Sequence, residues 1–174
     1  MQIFQSAIII FIIFIMGVSF SNAQEKNDKM LIGIITSLDL QKGPYAEWYN
    51  EFSNDYQVDN TSLEGLDRLM EGVEVKIVMG TWCHDSKREV PRFYKIFSTR
   101  NIPEAQVEMI ALNRKKQSPN GEINNMAITN TPTFIFYKNG EELNRIVETP
   151  VESLEKDLVK ILKGQAYRNS KMLE

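Results

Sequence analysis

The spacing of apolar and polar residues predicts an alternation of helices and strands. Apolar side chains recur every three or four residues in four stretches, as expected of helices that bury one face. These stretches are 46–56, 62–72, a segment from Ser86 onward that contains Pro91, and a segment opened by Pro150 and ended before Gly164. In the second stretch we expect Ser62 to be the N-cap and Gly72 to stop the helix.

Short runs rich in Val, Ile and aromatic residues predict the strands. These runs are 31–35, 73–79, 107–112, 133–137 and 143–147. The run 133–137 is almost wholly apolar, which is typical of a strand covered on both faces. Residues 138–141 read Lys-Asn-Gly-Glu and predict a hairpin turn, whereas 113–125 is a polar loop. The order of elements predicts an α/β fold without an internal repeat.

The chain opens with an apolar run over 7–16, which small residues follow at Ser21 and Ala23. This pattern predicts a signal peptide, 1–23, and a mature protein that is periplasmic or secreted. The run is short for a spanning helix, but no Lys or Arg precedes it. The alternative is an uncleaved N-terminal anchor, and only in that case do we expect a membrane partner.

Composition excludes several classes of protein. The 174 residues carry a net charge of −3, a single cysteine and a single histidine. An internal disulfide and an all-Cys/His zinc site are therefore impossible, and we expect no metal and no other cofactor. A mild negative charge gives no reason to expect a nucleic-acid partner. The basic run 114–116 is predicted to be solvated surface.

The sole cysteine and the sole histidine are adjacent, at Cys83 and His84, where a predicted strand gives way to a helix. Unpaired backbone N–H groups and the helix dipole at such a place favour a thiolate, which is the nucleophilic form. His84 would add positive charge and Asp85 would oppose it. Ser86 follows three residues after Cys83, where its hydroxyl is expected to reach the sulfur. The alternative for His84 and Asp85 is a solvated first helical turn.

The residues around Cys83 resemble the active-site region of the thioredoxin family. Trp82, Cys83 and Pro91 match the family's Trp-Cys-x-x-Cys motif and the proline after it, and Ser86 stands in place of the second cysteine. Residues 131–134 (Thr-Pro-Thr-Phe) are similar to the family's cis-proline loop, and 136–141 to its strand and hairpin.

The resemblance implies a thioredoxin-like fold, with a central mixed sheet flanked by helices and an N-terminal helical extension. After the predicted signal peptide at 1–23, we therefore expect the extension at 24–62, the thioredoxin-like domain at 63–164 and a C-terminal tail at 165–174. Pro132 would follow a cis peptide bond and lie beside the thiol. The implied catalytic residues are Cys83, Ser86 and His84, and the implied substrate-binding residues are Trp82, Thr131 and Pro132.

Two departures from the family pattern accompany the loss of the second cysteine. Ile77 stands where many thioredoxins have a buried Asp, and Ala111 where they have a Lys. We therefore expect a monothiol protein that exchanges disulfides with protein or low-molecular-weight thiols and needs an outside thiol to complete the cycle. One alternative is a redox-inactive module that binds peptides. Another is peroxide chemistry through a sulfenic acid at Cys83.

Overall fold

The computed structural model describes residues 30–173 and contains one five-stranded sheet. The predicted signal peptide, 1–23, and residues 24–29 lie outside the described residues. The strands are β1 (Gly33–Ile35), β2 (Val73–Met79), β3 (Val107–Ala111), β4 (Thr133–Lys138) and β5 (Glu141–Val147). Their order across the sheet is β1-β3-β2-β4-β5. Only β2 and β3 run parallel, so the sheet is mixed, as predicted.

Five helices accompany the sheet within residues 30–173. They are α1 (Ser37–Leu40), α2 (Ala46–Asp55), α3 (Leu66–Leu69), α4 (His84–Thr99) and α5 (Leu154–Leu162). Single 3-10 turns lie at Gly43–Tyr45, Glu104–Gln106 and Ser170–Met172. Within the described chain, none of the helices combines the length and the apolar character needed to cross a membrane.

The register of β2 places its apolar residues at the centre of the sheet. Ile77 lies opposite Met109 on β3 and opposite Phe134 on β4, and all three side chains are buried in the main core. β1, which belongs to the N-terminal extension, pairs antiparallel with β3. The extension therefore contributes an edge strand to the sheet as well as helices.

Helix α4 packs on the main core through the predicted apolar stripe. Val90, Phe93, Tyr94 and Phe97 are all buried, and Pro91 lies inside the helix. The ring of Phe93 stacks on that of Phe134 at 4.8 Å between centroids. Because offset aromatic pairs add to the stability gained from burial, this contact fixes α4 against β4.

The opposite face of the sheet is covered by irregular chain. Val78, Ile110 and Leu112 form a smaller buried cluster there. Ile123, Met126 and Ile128, from the turns between β3 and β4, pack over it. This arrangement buries both faces of the central strands, which explains the nearly continuous apolar sequence of β4.

The prediction of a helix over 62–72 with Ser62 as its N-cap is wrong. Residues 60–65 form turns, and α3 begins only after Gly65, whose φ is +74°. The Asp59 carboxylate accepts hydrogen bonds from the N–H groups of Thr61 and Ser62 and from the Ser62 hydroxyl. Such local bonds compete with helix formation. Here the side chain of Ser62, which was predicted to cap the helix, is hydrogen-bonded to Asp59 instead. The buried apolar residues of the stretch still enter the core.

The last helix also begins later than predicted. Pro150 does not open it, because α5 starts at Leu154 with Ser153 as its N-cap, which accepts from the N–H of Lys156 at 3.2 Å. The buried Asp157 carboxylate accepts from the N–H groups of Val151 and Glu152, and this holds the preceding residues in a turn.

Residues 165–173 pack back onto the domain. Tyr167 is buried, and its hydroxyl donates to Asp157 at 2.9 Å. Ser170 donates to the carbonyl of Val147 at the end of β5. Taken together, the mixed sheet, the helix that follows β2 and the hairpin β4–β5 form a thioredoxin-like fold, which confirms the predicted fold class.

Candidate functional site

Cys83 lies between the end of β2 and the start of α4, as the sequence predicts. It is the N-cap residue of α4 and has an extended backbone, with φ −86° and ψ 127°. Its N–H donates to the carbonyl of Gly80 at 2.9 Å, and its own carbonyl accepts from Lys87 at 3.0 Å. The side chain is half-buried. These bonds fix the thiol at the first turn of a helix, with part of its surface open to solvent.

The thiol faces the loop that enters β4. Cys83 Sγ lies 3.1 Å from the carbonyl oxygen of Thr131, to which the thiol donates. The peptide bond between Thr131 and Pro132 is cis, as the resemblance implies, and both residues are buried. Because a sulfur without its proton cannot donate, this bond belongs to the thiol form. The structure thus brings together three of the predicted site residues, Cys83, Thr131 and Pro132.

Trp82 forms one side of the site. Its indole N–H donates to the carbonyl of Leu112 at 2.9 Å, and the Arg114 guanidinium lies 5.7 Å from the ring centroid. A methyl group on Gly80 would come within 2.7 Å of the indole ring, so the backbone and the ring are in close approach at this position. Trp82 is half-buried and held in one orientation. Residues 114–116 are exposed, as predicted.

Ser86 is placed differently from the expectation. Its side chain is fully buried, and its hydroxyl oxygen accepts from the N–H of Gly80 at 3.2 Å. The Ser86 hydroxyl is therefore hydrogen-bonded to the loop before Cys83 and not to the sulfur. Ser86 closes the turn that carries Trp82 and Cys83.

His84 and Asp85 have different surroundings. His84 is exposed and makes an edge-to-face contact with Phe52 of α2, at 6.3 Å between centroids. Asp85 forms an ion pair with Arg88 at 2.8 Å. Burial opposes the charge of Arg88, but the carboxylates of Glu89 and Asp85 outweigh it and raise the pKa of the guanidinium. The carboxylate of Asp85, which we expected to oppose a positive charge on His84, is therefore paired with Arg88 of the same helix.

The N-terminal extension borders the site on the side of His84. The Arg92 guanidinium lies over the rings of Phe52 and Tyr56, at 5.9 and 5.2 Å. Burial, followed by the charge of Glu155, raises the pKa of the Tyr56 phenol, which donates to that carboxylate. These contacts couple the C-terminal half of α2 to α4 and α5.

A second contact joins the extension directly to the loop of the motif. The N–H of Leu31, just before β1, donates to the Thr81 hydroxyl at 3.3 Å. Thr81 is buried, and it precedes Trp82 in the chain. The extension thus contacts the site both through α2 and through the entry to β1.

The two positions where the family has a buried acid and a lysine hold apolar side chains in the core. Ile77 and Ala111 are both fully buried. They have no group that transfers a proton, so neither position can take up the proton of Cys83. In the part of the chain that the structure describes, no three His, Cys, Asp or Glu side chains are grouped so that they could hold a metal ion.

Several residues of the site are not evident from the sequence. Arg114 lies in a run that reads as solvated surface, and Phe52 and Trp48 belong to a helix whose aromatic stripe reads as core. Arg114 is assigned to the site by its contact with Trp82, Phe52 by its contact with His84, and Trp48 because it lines the same cleft as these two residues. The helical spacing of the aromatic residues on α2 was the single available signal, and it does not distinguish a core face from a cleft.

Comparison with known proteins shows a shared fold. No family model matches the sequence, and no curated protein is similar to it. A protein of unknown function from Pseudomonas aeruginosa has 14% sequence identity and a TM-score of 0.55, over 76% of this chain and 92% of that one. A thioredoxin from Fasciola hepatica has 19% identity and a TM-score of 0.38, over 58% and 91% of the two chains. The oxidised thioredoxin O2 of Arabidopsis thaliana has 18% identity and a TM-score of 0.33, over 49% and 76%. The first likeness extends over most of both chains and shows that they have the same fold.

Proposed function

We propose that this protein is a monothiol thiol–disulfide exchange protein that acts through a mixed disulfide at Cys83. The observation that supports the proposal most directly is the place of the thiol. It is half-buried at the N-terminus of a 16-residue helix and lies 3.1 Å from the residue before a cis proline. A helix N-terminus stabilises the negative charge that develops on sulfur when the proton leaves.

In the first step Cys83 loses its proton to solvent, and the thiolate attacks one sulfur of a substrate disulfide. The substrate S–S bond breaks, and a new S–S bond forms between that sulfur and Cys83. The departing sulfur takes up a proton and leaves as a thiol. The Cys83 sulfur is oxidised to the disulfide level while the departing sulfur is reduced, so electrons balance.

Release of the substrate requires a thiol from elsewhere, because Ser86 cannot attack the mixed disulfide as a second cysteine would. In an isomerase-like cycle another thiol of the same substrate attacks the substrate sulfur, and Cys83 leaves. In a reductase-like cycle a low-molecular-weight thiol makes this attack and becomes bonded to the substrate. A second molecule of that thiol then gives the reduced substrate and a small disulfide.

The test is adduct formation with a low-molecular-weight disulfide, followed by intact-mass spectrometry. The chain from Gln24 onward is expected to gain one thiol adduct per molecule and to lose it when excess thiol is added. The Cys83→Ser variant should gain none, whereas Ser86→Ala should still form the adduct because its hydroxyl is not needed for attack. A wild-type protein that forms no adduct, under conditions where a dithiol thioredoxin reacts, would refute the proposal.

A second candidate function is a redox-inactive module that binds peptides beside Pro132. The hydrogen bond from the Cys83 thiol to the Thr131 carbonyl favours it, because that bond is lost when the thiol ionises. Cys83→Ala separates the two functions. Peptide binding measured by calorimetry would survive this substitution, and disulfide exchange would not.

We also propose that the protein is exported, on the pattern of residues 1–23. Its substrates would then be thiols and disulfides outside the cytoplasm. N-terminal sequencing of the protein from fractionated cells tests this. The expected first residue is Gln24, and a chain that retains residues 1–23 in the membrane fraction would identify an anchor.

A further inference from the structure

A cleft of about 310 Å³ separates α2 of the extension from the loop that carries Cys83. Trp48 and Phe52 line it on the side of α2, and Trp82 and His84 line it on the side of the motif. Because Trp82 and His84 are the two neighbours of Cys83 in the chain, the backbone at Cys83 borders this cleft, while its sulfur faces Thr131. A peptide bonded to Cys83 through its own cysteine spans several residues, so the residues next to that cysteine would reach the opening.

The aromatic walls of the cleft are held in place from behind. The ring of Trp48 packs against those of Tyr45 and Tyr49, at 6.5 and 6.3 Å between centroids. The ring of Phe52 contacts both His84 and the Arg92 guanidinium. Trp48, Phe52 and Trp82 each remain partly exposed. Rigid, partly exposed aromatic rings bind a ligand side chain at a low cost in conformational entropy.

Acidic side chains lie on the α2 side of the cleft. Glu51 is exposed and follows Glu47 by one helical turn in the lining, and Lys87 lies opposite on α4. α2 also carries Asp55 and has no Lys or Arg. The field of α2 at this side of the cleft therefore favours a cationic group near Glu51.

We propose that the cleft selects polypeptide disulfides in which a large apolar or aromatic side chain and a Lys or Arg lie next to the cysteine. The inference rests on the proposed function of Cys83. The aromatic side chain would pack among Trp48, Phe52 and Trp82, and the cation would lie near Glu51. A cavity of a few hundred Å³ accommodates about one large side chain, so the cleft suits a short peptide segment.

Two peptides of equal length test the selection, each as a mixed disulfide with the chromophore thionitrobenzoate. In the first peptide Trp and Lys flank the cysteine, and in the second Ala and Glu flank it. The second-order rate constant of chromophore release measures attack by Cys83. The wild-type protein should prefer the first peptide about tenfold at low salt, since aromatic packing and a screened ion pair each contribute modestly.

The ratio of the two rate constants identifies the cleft residues. Glu51→Gln should lower the ratio and make it insensitive to salt, and Trp48→Ala should bring it close to one. The matched control is Asp55→Asn, which removes an exposed carboxylate of the same helix outside the cleft and should leave the ratio unchanged. A ratio that both cleft variants retain would overturn the assignment.

The remaining outcomes separate the two proposals. A wild-type protein that reacts with bis(2-hydroxyethyl) disulfide but does not distinguish the peptides would overturn the cleft proposal and leave the proposed function intact. A protein that reacts with none of the three would refute the proposed function. Binding of the reduced Trp-Lys peptide to Cys83→Ser then decides the cleft alone. A preference that vanishes as the protein self-associates would assign the cleft to a second copy.

Discussion

Replacement of Gly80 by alanine tests whether the backbone before Cys83 and the indole of Trp82 form one packed unit. Gly80 is buried, and a Cβ at this position would lie 2.7 Å from Trp82 Cε2 and 2.8 Å from Nε1. These distances are shorter than any van der Waals contact, so the ring must move. Movement of the ring breaks the hydrogen bond from its N–H to the Leu112 carbonyl, which is 2.9 Å long.

The size of the effect follows from three contributions. Gly→Ala by itself stabilises a protein by about 0.4–1 kcal/mol, because it restricts the unfolded chain. Loss of the indole hydrogen bond costs about 0.5–1.5 kcal/mol. Overpacking costs about 1–3 kcal/mol more. We therefore expect Gly80→Ala to lower the free energy of unfolding by about 1–3 kcal/mol, with steric conflict outweighing the entropic gain.

A double-mutant cycle with Trp82→Ala isolates the contact. Urea denaturation of the four proteins gives the free energies of unfolding. Without the indole, Gly80→Ala should be neutral or slightly stabilising, so the coupling energy should be about 1–3 kcal/mol. The same cost of Gly80→Ala in both backgrounds would mean that the methyl group conflicts with the backbone instead, and would refute the reasoning.

Three other substitutions test contacts around the site. Thr81→Val removes the acceptor of the Leu31 N–H, and should cost about 1 kcal/mol and speed hydrogen exchange of that amide while the core amides stay protected. Burial, then the charge of a nearby glutamate, raises the pKa of Tyr49 to about 12. The folded state therefore holds this proton more tightly, its contribution is complete below the unfolded pKa of about 10, and stability falls as pH rises from there to about 12. Tyr49→Phe should flatten that part of the pH–stability curve, and an unchanged slope would contradict the assignment. Glu155 is a buried carboxylate that accepts hydrogen bonds from the extension, so Glu155→Gln should lower the free energy of unfolding by about 1–3 kcal/mol. The control Glu152→Gln, on the exposed surface, should lower it by less than about 0.5 kcal/mol. Equal losses of stability in the two variants would refute this assignment.

Local signals predict the part of the site that depends on one junction in the chain. β2 and the start of α4 flank Cys83 closely, because a run of Val and Ile and an amphipathic stripe meet there. The resemblance implies that Pro132 lies beside the thiol, and in the structure this approach follows from the pairing of β2 with β4. The junction and its opposite loop are therefore accessible from sequence.

The partner of a side chain is harder to predict than its position. Ser86 is one turn from Cys83, as the spacing requires, but its hydroxyl bonds to Gly80 because the loop folds back over it. Ser62 is a favourable N-cap by type, but Asp59 competes for it. In both cases two hydrogen bonds of similar energy are possible for a short polar side chain, and tertiary packing decides between them.

The cleft beside Cys83 could not be predicted, because it depends on how α2 lies against α4. The Arg92 guanidinium lies over the rings of Phe52 and Tyr56 and fixes that packing. A long stretch of sequence, equal in length to about ten helical turns, separates Arg92 from these two residues, and no pattern in it predicts the contact. An amphipathic helix predicts that one face is covered, but not what covers it. The same aromatic residues could therefore have been entirely core.

Cys83 lies between two different surroundings, the loop before β4 and the N-terminal extension. On the side of β4, the Thr131 carbonyl holds the thiol. On the side of the extension, His84 and Trp82 open onto the aromatic cleft. Ser86 occupies the place of a second cysteine, and its hydrogen bond with Gly80 fixes the loop that carries Trp82 and Cys83 between these two sides. A thioredoxin-like loop without its second thiol thus retains a defined shape, and the exchange that we propose at Cys83 would take place beside the binding surface that we propose for the cleft.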